Sequence, residues 1–336
     1  MSEHLRLSPA VVRALMLAMA VTAVVLLVIA VFSPAMAMAA IPGVLVGSVG
    51  VLSFGRILPA LAAVGAMAVL AATACSVSAH VWGAAVLMAL VGLATALAGR
   101  VGLRGLAMNL GIFTAASLFP PPGLGGAAGS LSAALALGGS IAVGGLLGVL
   151  AFHFLGRGKT LPRPAATPWP EVIVNAAALV ITMFFGTMWV LTWDRSPVAA
   201  WLMVTMLVLV HPSSAVTLRR SVERVLGTLL GALLAAGIIA ILGAEWQRVV
   251  IAFVLLVLAW SFRLSNPVVE AGHYYWIYAL LWTPAMVILA VPQGGSASLS
   301  ADTQRVLLTV IAAVAVALVS TAVRMVVTRS VTIRPA

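Results

Sequence analysis

Long apolar stretches recur along the whole of this chain, separated by little more than single charges, prolines and Gly/Ser clusters. A bilayer core about 30 Å thick takes roughly 20 apolar residues per helical crossing, and the stretches fit that measure. They fall near 11–32, 35–53, 57–77, 81–99, 104–119 and 131–154, and again near 171–192, 197–211, 222–243, 247–262, 271–291 and 304–327. Twelve spans are expected, so the fold class is all-α: a polytopic membrane protein whose two six-helix halves form parallel repeats. Composition agrees. Of 336 residues, 63% are hydrophobic and 7% charged, against the roughly half-apolar makeup of a soluble domain.

The first stretch mimics a secretory signal, with a basic start and small-x-small sites, but its apolar run outlasts the roughly 7–15 residues of a signal core, so it is read as the first span. One cysteine, Cys75, leaves no intramolecular disulfide, and no Cys/His cluster has metal-ligand spacing. Phosphate loops, dinucleotide fingerprints and nucleophile elbows are missing from the sequence. Neither catalysis nor a cofactor nor a metal is expected. The net charge of +11 comes from basic residues scattered singly between apolar segments, which speaks against nucleic acid and for topology signals.

With both termini in the cytoplasm, 15 of the 18 Lys and Arg fall on the inner side, leaving Arg195, Arg248 and Arg305 outside, as the positive-inside rule requires. Trp82, Trp189, Trp193 and Trp246 then mark outer helix ends and Trp169 an inner one, an interfacial belt. The domain reading is a first six-helix half over 1–155, a Pro-rich cytoplasmic linker over 156–170 and a second half over 171–336. "RILPALAAVG" from Arg56 and "RVLGTLLGALL" from Arg224 each place one arginine before the third helix of their half, 168 positions apart, which is half of 336. Arg56 is thus the repeat counterpart of Arg224.

The stretch "LRRSVERVLGTLLGALLA" puts an arginine ahead of x-x-Gly-Thr-x-x-Gly at a helix start. It resembles the signature of the fusaric acid resistance and aromatic acid exporter superfamily. The likeness is fullest from about 197 to 329, while the first half has Pro59 and Ala63 where Gly227 and Gly231 stand. Members known as aromatic acid exporters carry a soluble cytoplasmic domain between their halves. This chain has only the short linker and looks like the compact branch. The resemblance implies a bacterial inner-membrane efflux protein, driven by the proton gradient and working with a periplasmic adaptor of the membrane-fusion type.

Read residue by residue, Gly227, Thr228 and Gly231 form a helix-packing face, either a static seam or a gate that moves. Arg219 and Arg220 serve as interfacial anchors. Arg224 sits one turn into the expected span, where a charge needs a partner; it is the candidate for binding an anionic substrate, with Glu223 as its switch partner. Tyr274, Tyr278 and Trp282, at i, i+4 and i+8, line one helix face, either as belt and core or as a stacking wall for an aromatic ring. Glu270 and His273 can relay a proton or simply end a loop. "HPSSAVT" after His211 and "IPGVLVGSVG" from Ile41 are interrupted spans of the kind that mark transport pathways.

Two function classes remain: an exporter of small amphipathic or aromatic anions, and a non-transporting scaffold of an envelope complex. The expected partners are the lipid bilayer, a small organic anion and a periplasmic adaptor; a homo-oligomer is left open.

Overall fold

A computed structural model describes residues 9–121, 123–127, 129–155, 165–196, 198–211, 213–265, 273–290 and 296–332. Among these, the secondary structure is helical, with no strand. The first half contains α1 (Pro9–Phe32), α2 (Pro34–Phe54), α3 (Ile57–Val77), α4 (Val81–Ala98), α5 (Arg104–Ser117) and α6 (Leu131–Leu155). The second contains α7 (Trp169–Trp193), α8 (Ala200–Leu209), α9 (Ser214–Ile241), α10 (Glu245–Ser265), α11 (Tyr275–Ala290) and α12 (Ser296–Thr332).

Local chemistry sets several boundaries. The Ser33 hydroxyl accepts from the Met36 amide at the start of α2, and Pro34 takes the first helical turn, where a proline amide is not missed. Gly55, at φ 65°, closes α2 by donating to the Val51 carbonyl. The described end of the Pro-rich linker is tied down: the Thr167 amide donates to the Gly99 carbonyl at 3.0 Å, and Arg100 lies 5.5 Å from the Trp169 ring centre.

Eight helices are long and apolar enough to cross a membrane, namely α2, α3, α4, α6, α7, α9, α10 and α12. The chain is a multi-pass helical membrane protein. The expected twelve crossings are met in part, because some helices are short. At 1.5 Å per residue, the 10 residues of α8 reach only about 15 Å and the 16 of α11 about 24 Å. Such elements hold their place through neighbouring helices, not through length.

The packing runs α2 on α6, α3 on α6, α1 on α2 and on α6, and α5 against α3 and α4. Later in the chain α8 packs on α12, α9 on α12, α7 on α8 and on α12, and α11 against α9 and α10. Without a hydrophobic force to join helices in lipid, small residues at crossings do that work by allowing close approach. A Cβ on Gly43 would stand 1.9 Å from the Ile141 carbonyl oxygen, and one on Gly148 2.4 Å from that of Val44. Hence "IPGVLVGSVG" is no interruption: α2 runs on through Pro42 as a helix, and its glycines are the α2/α6 crossing.

The ninth helix differs most from expectation. It begins at Ser214 instead of near 222, so Arg219 and Arg220 belong to its second turn and Arg224 lies nearly three turns in. The physical reason is an inverted amphipathic pattern. Thr217, Arg220, Ser221, Arg224 and Thr228 are buried, whereas Leu218, Val222, Leu226, Leu229 and Leu233 are exposed. A helix that hides its polar stripe and shows its leucines is built for lipid outside and polar neighbours inside.

Candidate functional site

Three helices of the second half converge on Arg224. Gly227 and Gly231 let α9 approach α11 until added Cβ atoms would lie 2.4 Å from the Trp276 carbonyl oxygen and 2.7 Å from the Thr283 Cβ. That closeness sets the first turn of α11 beside Arg224, whose guanidinium donates to the Tyr275 hydroxyl at 3.3 Å. Arg224 is 4% exposed, and its Nε has no hydrogen-bond partner.

Arg220, one turn earlier, and Arg263, from the last turn of α10, join it around a small cavity with Tyr275, Tyr278 and Trp282. Val204 and Val208 of α8 and Met108 and Ile112 of α5 close the far side, so both halves of the chain contribute. Arg104 at the start of α5 donates to the Val210 carbonyl at the end of α8, which fixes those two helices to each other. The room for water is about 30 Å³, enough for about two molecules. The rings form a run: Tyr275 to Tyr278 at 5.6 Å between centres, Tyr278 stacked on Trp282 at 5.7 Å, and Trp282 to Trp260 at 6.5 Å. The Arg263 guanidinium lies 5.4 Å from the Tyr278 ring centre, within cation–π range. Among the described residues, no acidic side chain lines the cavity.

Sequence-derived candidates sort into three places. Arg224, Tyr278 and Trp282 meet in the cavity, and Tyr275 completes the wall. Tyr274 stands before the helix at φ 59° and is 58% exposed, so the i, i+4 spacing from it to Tyr278 is not helical. Glu223 faces another way. It pairs with Arg219 at 3.1 Å and accepts from the Trp276 amide at 3.3 Å, capping the start of α11. His273 meets Arg219 at 3.0 Å through Nε2. Because Arg219 can only donate, Nε2 is the acceptor there and the proton sits on Nδ1. Glu270 lies outside the described residues, as does Pro212. The Thr228 hydroxyl is buried without a hydrogen-bond partner. Arg56 is exposed at the N-cap of α3 and lines no such cavity.

Arg220, Arg263 and Tyr275 were not among the sequence-derived site residues. Arg220 could have been found from its i, i+4 relation to Arg224 within the inverted stripe. Arg263 carries no such local signal, since its role arises from how α10 packs on α11.

A third buried arginine lies against α11 further along its length. Arg305 of α12, expected in an outer connection, is 4% exposed, stacks 3.6 Å from the Trp201 ring centre and donates to the Thr283 carbonyl at 3.2 Å. Nearby, Gln304 donates to Asp194.

Fold and site together define a multi-pass helical membrane protein with a buried cationic and aromatic cavity between its halves. Residues 177–320 are similar to the family described as fusaric acid resistance protein-like. Its general character is membrane efflux and resistance. No curated protein and no solved structure matches the chain.

Proposed function

We propose that the protein is an efflux transporter of the bacterial inner membrane that exports small amphipathic or aromatic organic anions. The observation that carries this reading is Arg224: a guanidinium 4% exposed, with an orphaned Nε, facing aromatic walls and, among the described residues, no carboxylate in its cavity. A buried charge of this kind is costly until something of opposite sign reaches it. A carboxylate on an aromatic ring satisfies both surfaces, the fork by paired hydrogen bonds and the rings by stacking. The cavity is too small for such a ligand as it stands, so loading requires α9 and α11 to part.

The same reading makes 1–155 and 171–336 parallel repeats joined by the 156–170 linker, with all twelve helices in the membrane and both termini cytoplasmic. It is supported by helix pairings that recur six helices later: α2 on α6 and α8 on α12, α3 on α6 and α9 on α12, α3 on α5 and α9 on α11. Binding between two such halves near mid-membrane is a common transporter plan. The Glu223, Arg219 and His273 cluster at the start of α11 is the proposed place of proton exchange, and Glu270, three positions before His273 in the sequence, is proposed to take part. A proton on His273 Nε2 would set two donors against each other and release Arg219. A periplasmic adaptor receives the exported anion. The alternative, a scaffold, has no use for an orphaned guanidinium.

Export of a panel of radiolabelled aromatic carboxylates from cells, with and without a collapsed proton gradient, tests the proposal. Gradient-dependent export that Arg224→Ala abolishes at unchanged protein level is expected. Equal accumulation in cells with and without the protein would sink it.

A further inference from the structure

We propose that the cleft between α1 and α10 binds the hydrocarbon tail of a single-chain amphipath ending in a carboxylate, which enters sideways from the bilayer. The head of that ligand rests on the anion-binding reading of the Arg224 cavity. The tail site stands on observations of its own.

Two of the seams between the halves are unequal. Between α4 and α7 the helices touch, since a Cβ on Gly92 would lie 3.1 Å from the Leu179 carbonyl oxygen. Between α1 and α10 they pack more loosely, and a cavity of about 50 Å³ opens between them and α2 and α6. Leu26, Leu45, Val49, Phe152, Phe253 and Leu256 line it. Its two hydroxyls are already used within their own helices: Thr22 donates to the Ala18 carbonyl and Ser48 to that of Val44, each at 2.7 Å. Nothing along this length offers water two or more partners, so hydrocarbon is the fitting content. On the faces turned away from the cleft, Val24 and Val28 of α1 and Val254 and Leu258 of α10 are exposed, so both helices that form the cleft border lipid tails.

One end of the cleft is polar. Trp260 is 6% exposed and lines it, and its indole Nε1 is buried with no hydrogen-bond partner. The same ring meets Trp282 of the Arg224 cavity edge-on and has the Arg263 guanidinium 5.7 Å from its centre. Trp260 is therefore a wall shared by an apolar cleft and a cationic cavity, and it holds a donor that lacks an acceptor. From Phe253 to Trp260 the cleft runs about 10 Å along α10, the length of a medium tail, and at about 50 Å³ it must widen by parting α1 and α10 to admit one. A carboxylate or carbonyl oxygen at the head of that tail would take the indole N–H and face Arg263.

The test uses the full-length protein in nanodiscs of zwitterionic lipid and a decanoate carrying a terminal diazirine. Photolysis and peptide mass spectrometry should place adducts within 19–26 of α1 and 253–260 of α10, competed away by unlabelled decanoate. Adducts spread over the outer rows, or equal labelling of the cleft by a diazirine phosphatidylcholine that decanoate does not displace, would overturn the proposal. In equilibrium binding, Val257→Trp, at a further lining position of the cleft, should weaken decanoate at least tenfold and leave benzoate unchanged, with Trp260→Phe weakening decanoate less. Equal loss of both anions would overturn it as well. If benzoate fails to bind the unaltered protein while decanoate still labels the cleft, the tail site stands and the aromatic reading of the Arg224 cavity falls.

Discussion

Arg224 of α9 donates to the Tyr275 hydroxyl of α11 at 3.3 Å, joining the two helices that Gly227 and Gly231 bring into backbone contact. Removing that hydroxyl leaves a buried guanidinium with one more unmet donor, a loss of about 1–3 kcal/mol. Tyr275→Phe should lower the melting temperature of the purified protein accordingly. Arg224→Lys keeps the charge but loses the planar fork, and titration calorimetry should show at least tenfold weaker binding of aromatic carboxylates.

The α9/α11 seam leaves no space at Gly227, whereas a Cβ on Gly65 of α3 would meet nothing within 4 Å. Gly227→Ala should destabilise by about 1–3 kcal/mol or more through forced backbone movement. Gly65→Ala should be neutral, or gain up to about 1 kcal/mol from helix propensity. Thermal unfolding of the two variants side by side separates crowding from a general intolerance of alanine.

Glu223 caps α11 and pairs with an arginine whose side chain is 47% exposed. A surface pair is worth about 0–1 kcal/mol, so Glu223→Gln, which keeps an acceptor for the Trp276 amide, should barely alter melting. If the cluster exchanges protons, export in that variant should stop responding to an imposed gradient. Flux measured across proteoliposomes at two pH differences decides the matter.

Arg305 should behave as a structural residue. Arg305→Ala takes away the partner of the Thr283 carbonyl and the group stacked on Trp201, at an expected cost of roughly 1–3 kcal/mol. Arg305→Lys should fall between alanine and the unaltered protein because an ammonium cannot stack as a plane. Melting curves of the three proteins give the order.

Much of the architecture was legible because lipid imposes a simple rule: long apolar runs become helices, and ten of the twelve helices begin and end within five residues of the apolar run that marked them. The start of α9 was not legible by that rule. Hydropathy counts Thr217 to Ser221 as polar and therefore outside the span, yet the residues form a helix whose polar side is inward. The stretch at 296–303, helical as the start of α12, was missed because its sequence is polar. Tyr274 shows a further limit. Whether a tyrosine joins a helical face depends on where the helix begins, and a one-residue shift exchanged Tyr274 for Tyr275. Arg263 and Trp260 became part of the story only through packing between helices distant in sequence, about which periodicity says nothing.

The inverted stripe of α9 also bears on how the protein is made. Alone in a bilayer, two arginines on one span would each cost up to about 2.5–3.5 kcal/mol, the helix-centre value on an insertion scale, and the polar and aromatic groups beside them lie on α10 and α11, which the ribosome delivers later. A chain cut after α9 should therefore hesitate at the translocon, whereas one that continues through α11 should be released as a settled three-helix unit.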